Sequence, residues 1–258
     1  MTLLLVDVGN TRVKWTTCEH GVLAEQQAAL HAGWSAAHWE RRLFSRDDID
    51  SVVAASVAGD DSKRALLAAA ARRGVTDLRF VASTSEACGV RNAYPDPSLL
   101  GVDRWVALIG AYWLRGPRAA CVVDVGTAAT LDAVLADGTH LGGFIVPGPR
   151  LMAGSLLQGT SDLAAHTEAS RAGARNPYAD NTRDAIERGS RIAVAALVDR
   201  AHAELARRSP QAPALVVTGG DAPEVLPYVL SKTAEHVPDL VLRGIACLAA
   251  SQALNPAG

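Results

Sequence analysis

A strand pattern that ends in Asp-Val-Gly occurs twice in this chain. The stretch "LLLVDVGNTRVKW" at residues 3–15 leads into Asp7 and a glycine turn, and "CVVDVGTAATL" at residues 121–131 repeats the strand, Asp124 and the glycine. Residues after each turn continue as a second strand, so each copy predicts a β-hairpin. The repetition favours a chain made of two similarly built halves.

The order of the other predicted elements supports duplication of one α/β unit, with a boundary near residue 116. After its hairpin, the first half is predicted to contain a strand over "GVLAEQQAAL", a helix over "WSAAHWERRLF", a strand over "DSVVAASV", a helix over "DSKRALLAAAARRG", a strand over "DLRFVAS" and a helix over "DRWVALIGAYWL". The second half is predicted to contain strands at 120–125, 129–135 and 140–146, helices near 149–158 and 181–207, the strand "ALVVTGG", a short helix, and a last strand and helix through "DLVLRGIACLAASQAL".

Charge and hydropathy exclude several classes of protein. The formal net charge of -2 and the pI near 6.4 provide no basic field for a nucleic-acid backbone. No apolar run approaches the ~18 residues that span a bilayer, and the N-terminus shows no signal-peptide pattern. We therefore expect no nucleic-acid partner, no membrane partner and a cytoplasmic location.

The cysteines and histidines indicate no metal centre or disulfide framework. Four cysteines lie far apart without a Cys-x-x-Cys pair, and they are predicted to be small buried hydrophobic residues: Cys18, Cys88, Cys121 and Cys247. The seven histidines show no pair at i, i+4 spacing.

The first glycine turn has the chemistry of a phosphate site. A glycine after a strand lets backbone N–H groups approach an anion, and Asn10 and Thr11 add neutral donors. Lys14 on the next strand can reach a phosphate oxygen, while Asp7 suits a magnesium ion that accompanies a nucleotide. The alternative is an ordinary hairpin turn, for which Gly-Asn-Thr is a common sequence.

Two further turns favour the nucleotide interpretation. The stretch "DVGTAAT" repeats the arrangement with Asp124, Gly126 and Thr127, and "VTGGDA" places Gly219 and Gly220 after a strand, where adenosine can approach closely. Neither a P-loop pattern nor a G-x-G-x-x-G dinucleotide pattern occurs.

These residues carry a resemblance to known families. The segments "DVGNTRVK", "DVGT" and "TGG" resemble the superfamily of acetate and sugar kinases, heat-shock ATPases and actin. Within it, "GVDRW", "DVGTAAT", "GGFIVPG" and "NTRDAI" in this order resemble the type III pantothenate kinase family, from residue 3 to about residue 250. The resemblance implies an α/β fold of duplicated ribonuclease H-like (actin-like ATPase) units, each a mixed β-sheet flanked by helices, with a cleft between the halves 1–116 and 117–258.

The resemblance also implies roles for individual residues. ATP, with Mg²⁺, would be bound by Asp7, Val8, Gly9, Asn10, Thr11, Arg12, Val13, Lys14 and Thr127. Pantothenate would be bound by Tyr94, Gly101, Val102, Asp103, Arg104 and Thr182. Asp103 would be the proton acceptor and Asp124 would hold a monovalent cation, K⁺ or NH₄⁺. The family is also typically homodimeric, with the second half at the interface.

The residue types are compatible with these roles but leave alternatives open. A carboxylate such as Asp103 can accept a hydroxyl proton, and Arg104 can pair with a substrate carboxylate. Without the resemblance, Asp103 is more typical of a helix cap, Arg104 can be a surface arginine, and Tyr94 and Thr182 are typical of packing and of an N-cap. Two more aspartates near predicted helix starts are assigned structural roles: Asp162 and Asp180.

Three functions remain open at this stage. The leading one is ATP-dependent phosphorylation of pantothenate, the first step towards coenzyme A. The second is another small-molecule kinase or a phosphatase on the same scaffold, since fold alone does not determine the substrate. The third is a nucleotide-binding regulatory accessory protein, although the Asp103-Arg104 pair beside a complete phosphate turn argues against pure binding.

Overall fold

The computed structural model describes residues 1–159 and 178–251. The chain packs as two compact units. The first unit contains Met1–Arg118, Val134–Leu141 and the C-terminal stretch from Asp239, and the second contains Ala119–Ala133 and Gly142–Pro238. These units are defined by packing, whereas the halves 1–116 and 117–258 are defined by the repeated order of elements, and that division stays a prediction.

A six-stranded mixed sheet forms the centre of the first unit. Its strands are β1 (Thr2–Val8), β2 (Arg12–Glu19), β3 (Val22–Leu23), β4 (Gln27–Leu30), β5 (Ile49–Ser56) and β6 (Asp77–Phe80). They lie in the order β3-β2-β1-β5-β6, with β4 also paired to β2. The β1–β2 pair is antiparallel, while β1–β5 and β5–β6 are parallel.

Helices cover both faces of this sheet, because its central strands are apolar on both sides. The helices of the first unit are α1 (Ala36–Leu43), α2 (Asp60–Arg72), α3 (Val102–Arg115) and, at the C-terminal end, α7 (Leu240–Ala250). Trp39 of α1 and Leu66 of α2 pack on Val6 and Val8 of β1 in one core cluster. The alternate β1 residues, Asp7 among them, face the other side, where α3 and α7 pack against each other and on the sheet.

The second sheet repeats the topology of the first. Its strands are β9 (Ala120–Val125), β10 (Ala128–Val134), β11 (His140–Pro147), β12 (Ala214–Thr218) and β13 (Ala234–His236). They lie in the order β11-β10-β9-β12-β13, and β9–β12 and β12–β13 are parallel. In both sheets a three-stranded meander is followed by two parallel strands on the far side of its first strand. The shared order bears out the predicted duplication.

The remaining helices of the described chain are α4 (Pro149–Gly159), α5 (Thr182–Arg208) and the short α6 (Ala222–Val225). α4 packs on α5, and α5 packs on β9. None of the helices in the described residues is long and apolar enough to cross a membrane.

The sequence prediction was wrong in three places. The single strand expected over residues 21–30 is two short strands, which both pair with β2. A small hairpin of β7 (Glu86–Ala87) and β8 (Val90–Arg91) was not expected, because its strands are too short for a periodic signal. The last strand is Ala234–His236, whereas "DLVL" at residues 239–242 is the start of α7.

Candidate active site

The first aspartate turn places a carboxylate opposite an ammonium group. In the register of β1 and β2, Asp7 is the direct partner of Lys14, and Val8 is the partner of Val13. Directly opposed residues of an antiparallel pair lie on the same face, so Asp7 and Lys14 share one face of the sheet. Asp7 is 9% exposed. The hairpin therefore holds one carboxylate and one ammonium group side by side next to the turn.

The loop between these strands consists of Gly9, Asn10 and Thr11. The Gly9 N–H donates to the Arg12 carbonyl oxygen at 3.0 Å, which closes the turn. Asn10, Thr11 and Arg12 are exposed to solvent. The polar groups predicted to meet phosphates are thus accessible on a closed, hydrogen-bonded turn.

His31 supports this loop through hydrogen bonds, a role that the sequence did not indicate. The ring Nε2 of His31 donates to the Gly9 carbonyl oxygen at 2.7 Å, and the backbone N–H of His31 donates to the Thr11 carbonyl oxygen at 3.4 Å. The ring is 8% exposed and packs on Trp39 with 5.5 Å between ring centroids. No local pattern distinguishes His31 from the other histidines, because its partner lies 22 positions away.

The second aspartate turn is shorter than the first. β9 ends at Val125 and β10 begins at Ala128, so the loop is only Gly126 and Thr127. The Gly126 N–H donates to the Ala128 carbonyl oxygen at 3.0 Å, and the Gly148 N–H donates to the Thr127 carbonyl oxygen at 2.8 Å. The Thr127 side chain is exposed while its backbone is fixed.

Backbone atoms of two distant glycines enclose the second turn. A Cβ atom on Gly148 would lie 1.9 Å from the Gly126 carbonyl oxygen. A Cβ atom on Gly219 would lie 2.5 Å from Asp124 Oδ1 and 2.3 Å from the Val125 carbonyl oxygen, and Gly219 has a φ of +101°. Only glycine fits at these positions without displacing the strand that carries Asp124.

The two glycines of the third turn have different surroundings. Gly219 is enclosed by β9, whereas no heavy atom lies within 4 Å of a Cβ on Gly220. Next to it, Asp221 is 1% exposed and accepts a bidentate hydrogen bond from Arg150. Close approach of adenosine to this turn stays a prediction, with Gly220 as the open position.

The start of α3 carries the predicted proton acceptor. Gly101 occupies the N-cap position without a side-chain cap, so Asp103 lies inside the first turn and is not the capping residue. Asp103 Oδ1 accepts the Arg104 N–H at 2.8 Å, and a Cβ on Gly101 would lie 2.7 Å from this oxygen. Gly101 therefore leaves the space that the half-buried Asp103 carboxylate occupies.

Arg104 is buried, which excludes the alternative of a surface arginine. Its side chain is 6% exposed, its NH1 donates to the Tyr94 hydroxyl at 3.1 Å, and its guanidinium lies 5.8 Å from the Tyr94 ring centroid. His140 stacks on the Tyr94 ring, with 6.4 Å between the ring centroids and an interplanar angle of 8°. His140 Nδ1 accepts the Ala93 N–H at 3.3 Å, which fixes the ring beside Tyr94.

His140 is a second residue that the sequence did not indicate. It is 2% exposed and lies at the start of β11, far along the chain from Tyr94. Tyr94 thus contacts both a guanidinium and an imidazole, which is more than the simple packing role that was its alternative. No sequence spacing connects the two residues.

Thr182 is the first residue of α5 and not its N-cap. Asn181 is the cap, since its side-chain oxygen accepts the Asp184 N–H at 3.0 Å. This excludes the capping alternative for Thr182, which is half-buried. Asp180 accepts a hydrogen bond from Asn181 at 3.2 Å, and Asp162 lies outside the described residues.

The described geometry groups the predicted residues into three sets. The hairpin Asp7–Lys14 is one set, and Tyr94 with Gly101–Arg104 is the second; both belong to the first unit. Asp124 and Thr127 form the third set, in the second unit, where Thr182 also lies.

The donors around both aspartates suit hard cations. The second turn supplies the Asp124 carboxylate, backbone carbonyl oxygens and the Thr127 hydroxyl, and Mg²⁺, Ca²⁺ and alkali ions prefer such oxygens over sulfur and nitrogen. Within residues 1–159 and 178–251, no group of three or more His, Cys, Asp or Glu side chains is arranged to hold a metal.

Comparison with known proteins identifies the family. A family model described as type III pantothenate kinase matches residues 3–204. The type III pantothenate kinase of Nitrosococcus oceani is 36% identical over 256 residues, which cover 96% of this chain and 93% of that protein.

Solved structures share the fold at low identity. A conserved putative Baf family transcriptional activator from Campylobacter jejuni has a TM-score of 0.60 and 19% identity, covering 97% of this chain and 100% of that one. MreB 5 of Spiroplasma citri bound to AMPPNP has a TM-score of 0.52 and 9% identity, covering 98% and 97%. These likenesses confirm the predicted actin-like fold class, and the sequence matches settle the family: the chain belongs to the type III pantothenate kinases.

Proposed function

We propose that this chain transfers the γ-phosphoryl group of ATP to the hydroxyl group of pantothenate and so forms 4′-phosphopantothenate in the first step of coenzyme A biosynthesis. The observation that carries the proposal is the start of α3, where Asp103 and the buried Arg104 follow each other and Arg104 is bonded to Tyr94. A protein that only binds a nucleotide needs no positioned carboxylate of this kind. A cytoplasmic location, where ATP is available, is part of the proposal.

Asp103 is the proposed proton acceptor for the attacking hydroxyl. The Arg104 N–H fixes one carboxylate oxygen at 2.8 Å, which orients the group. A positioned carboxylate contributes ~10²-fold to 10⁴-fold to such a proton transfer. Catalysis otherwise depends on holding the hydroxyl in line with the phosphoryl group.

Arg104 and Tyr94 are the proposed ligands of pantothenate, together with Gly101, Val102 and Thr182. Pantothenate carries a carboxylate, and a guanidinium is the side chain best suited to pair with it. The hydrogen bond to Tyr94 fixes the Arg104 fork before substrate arrives, so less side-chain entropy is lost on binding.

The residues from Asp7 to Lys14, together with Thr127, are the proposed ATP ligands. Lys14 and the backbone N–H groups of the first turn would offset the negative charge of the phosphates. Mg²⁺ near Asp7, and K⁺ or NH₄⁺ at Asp124, would neutralise further charge when bound. The oxygen donors at both turns are compatible with these ions.

We also infer that the chain forms a homodimer through its second half. Large apolar side chains are exposed on β11 and α4 of that half, among them Phe144 (55%), Ile145 (61%) and Leu151 (49%). Exposed apolar side chains of this size favour an interface. Sedimentation at several concentrations is expected to give a dimer, and Ile145→Glu is expected to give a monomer.

The test of the proposed function is an assay with ATP and a panel of primary alcohols that includes pantothenate and several sugars. We expect phosphorylation of pantothenate only. Phosphorylation of a sugar would favour the second function, and ATP binding without any phosphoryl transfer would favour a regulatory accessory protein.

Asp103→Asn is expected to lower kcat by ~10²-fold or more without changing ATP binding. Near-normal turnover of this variant would remove Asp103 from the catalytic role.

A further inference from the structure

Two cysteines that are distant in sequence meet in the first unit. Cys88 is the first residue of the turn between β7 and β8, and its Sγ lies 3.4 Å from Ser251 Oγ, within hydrogen-bond distance. The Ser251 N–H in turn donates to the Cys247 carbonyl oxygen at 3.0 Å, so Ser251 lies one helical turn beyond Cys247. The contact with Ser251 places the Cys88 thiol against the last turn of α7, the helix that carries Cys247. The partial exposure of Cys88 and Cys247 contradicts the expectation that all four cysteines are small buried hydrophobic residues.

A cavity makes Cys247 accessible to a small reagent. Cys247 and Ser251 line an apolar cavity of about 540 Å³, together with Cys18. Both Cys88 and Cys247 are partly exposed, whereas Cys18 and Cys121 are buried. The four thiols therefore divide into an accessible pair and two buried single residues.

The two sulfur atoms are not equivalent. The hydrogen bond from Cys247 lowers the pKa of the Cys88 thiol to about 6, and the same interaction raises the pKa of Cys247. At neutral pH Cys88 is mainly a thiolate, the nucleophilic form, and Cys247 keeps its proton. Cys88 also has a φ of +49°, a conformation unusual for a residue with a side chain.

We propose that Cys88 and Cys247 form an oxidative modification site that hydrogen peroxide converts into an intrachain disulfide. Cys88 sulfur attacks a peroxide oxygen, so that an S–O bond forms, the O–O bond breaks and hydroxide leaves as water after taking a proton. Cys247 sulfur then attacks Cys88 sulfur, the S–S bond forms, and the oxygen leaves as a second water with the Cys247 proton. The two thiols lose two electrons in total, and one peroxide is reduced to two waters.

The disulfide would link the β7–β8 turn to α7. This chemistry does not depend on the proposed kinase activity, because its readout is the state of the thiols.

The experiment treats the reduced full-length protein with one equivalent of hydrogen peroxide at neutral pH. Remaining thiols are then alkylated under denaturing conditions, and the peptides are mapped by mass spectrometry. We expect two of the four thiols to be lost, and one linked peptide that contains Cys88 and Cys247 and disappears on reduction. Cys18→Ser is the matched control, because Cys18 lines the same cavity, and it should leave the linked peptide unchanged.

The variant Cys247→Ser is expected to abolish the linked peptide and leave Cys88 as a sulfenic acid that a dimedone probe labels. The proposal would be overturned by four intact thiols, by a disulfide between two molecules, or by over-oxidised Cys88 beside an alkylated Cys247. The wild-type map decides the question even where a variant folds poorly.

Discussion

The two aspartate turns have similar sequences but are held in place by different means. The first turn, Gly9–Thr11, is supported by a side chain, because His31 donates to the Gly9 carbonyl oxygen at 2.7 Å. The second turn, Gly126–Thr127, is supported by backbone, with the Gly148 N–H bonded to the Thr127 carbonyl oxygen at 2.8 Å and Gly219 against Asp124. The first turn also has Lys14 opposite its aspartate, whereas β10, the strand that follows the second turn, contains no lysine.

This difference is compatible with different roles for the two turns. A turn with its own cation and exposed polar loop residues suits direct contact with phosphates. A half-buried carboxylate enclosed by backbone repels phosphates unless a bound cation offsets its charge. These features support the proposal that the first turn contacts the phosphates and that the second turn holds the monovalent cation.

The largest effect is expected from Gly219→Ala. The added methyl carbon would lie 2.3 Å from the Val125 carbonyl oxygen at a φ of +101°, so β9 must shift or the variant unfolds. We expect the free energy of unfolding to fall by ~3 kcal/mol or more in a denaturant titration. Gly220→Ala is the control, since nothing lies within 4 Å, and its effect should stay below about 1 kcal/mol. Equal effects would contradict backbone enclosure of the second turn.

Lys14→Ala should act on catalysis and not on folding. Loss of a charge that contacts phosphate affects both ground state and transition state, so KM for ATP should rise and kcat should fall, together by ~10²-fold in kcat/KM. Steady-state kinetics with ATP varied would measure this. Lys232→Ala removes an exposed lysine from the second unit and should leave both constants unchanged. If the ATP dependence of Lys14→Ala matched that of the wild type, the hairpin would be interpreted as an ordinary turn without a role in ATP binding.

A smaller effect is expected from His31→Ala. The variant leaves the Gly9 carbonyl oxygen without its buried donor, which costs about 1–3 kcal/mol of stability. A loosened loop should also raise KM for ATP by ~3-fold to 10-fold while kcat changes little. His31→Gln, whose amide can still donate, should recover part of the ATP affinity, and His38→Ala on the surface should have no effect. A loss of stability with unchanged KM would limit His31 to a structural role.

The sequence predicted the hairpins and the duplicated topology well, because a two-residue period and a glycine turn are local signals. The predicted end of the first strand near residue 8 and the restart near residue 12 agree with Val8 and Arg12. It failed where structure depends on distant contacts. The strand over residues 21–30 is interrupted between Leu23 and Gln27, where its register on β2 shifts by one residue, from the Cys18–Leu23 pair to the Trp15–Gln27 pair, and the residue pattern alone does not reveal this shift.

The candidate site shows the same limit. Motifs located the two turns and the start of α3, but they could not show that Arg104 is buried or that His140 stacks on Tyr94. Likewise, Gly148 supports Thr127 from 21 positions away, and Cys88 meets the last helix across most of the chain. Such contacts are determined by the packing of elements and not by spacing within them.

The most direct test of the division between the two turns is the dependence of the initial rate on potassium, with sodium as the replacing ion at constant ionic strength so that general screening does not change. At saturating ATP and pantothenate, we expect potassium to activate the wild type strongly over sodium. Asp124→Asn should raise the potassium concentration for half activation or abolish activation, whereas Lys14→Ala should keep the wild-type value. Equal wild-type rates in potassium and sodium, with Asp124→Asn fully active, would contradict the assignment of a cation to the second turn.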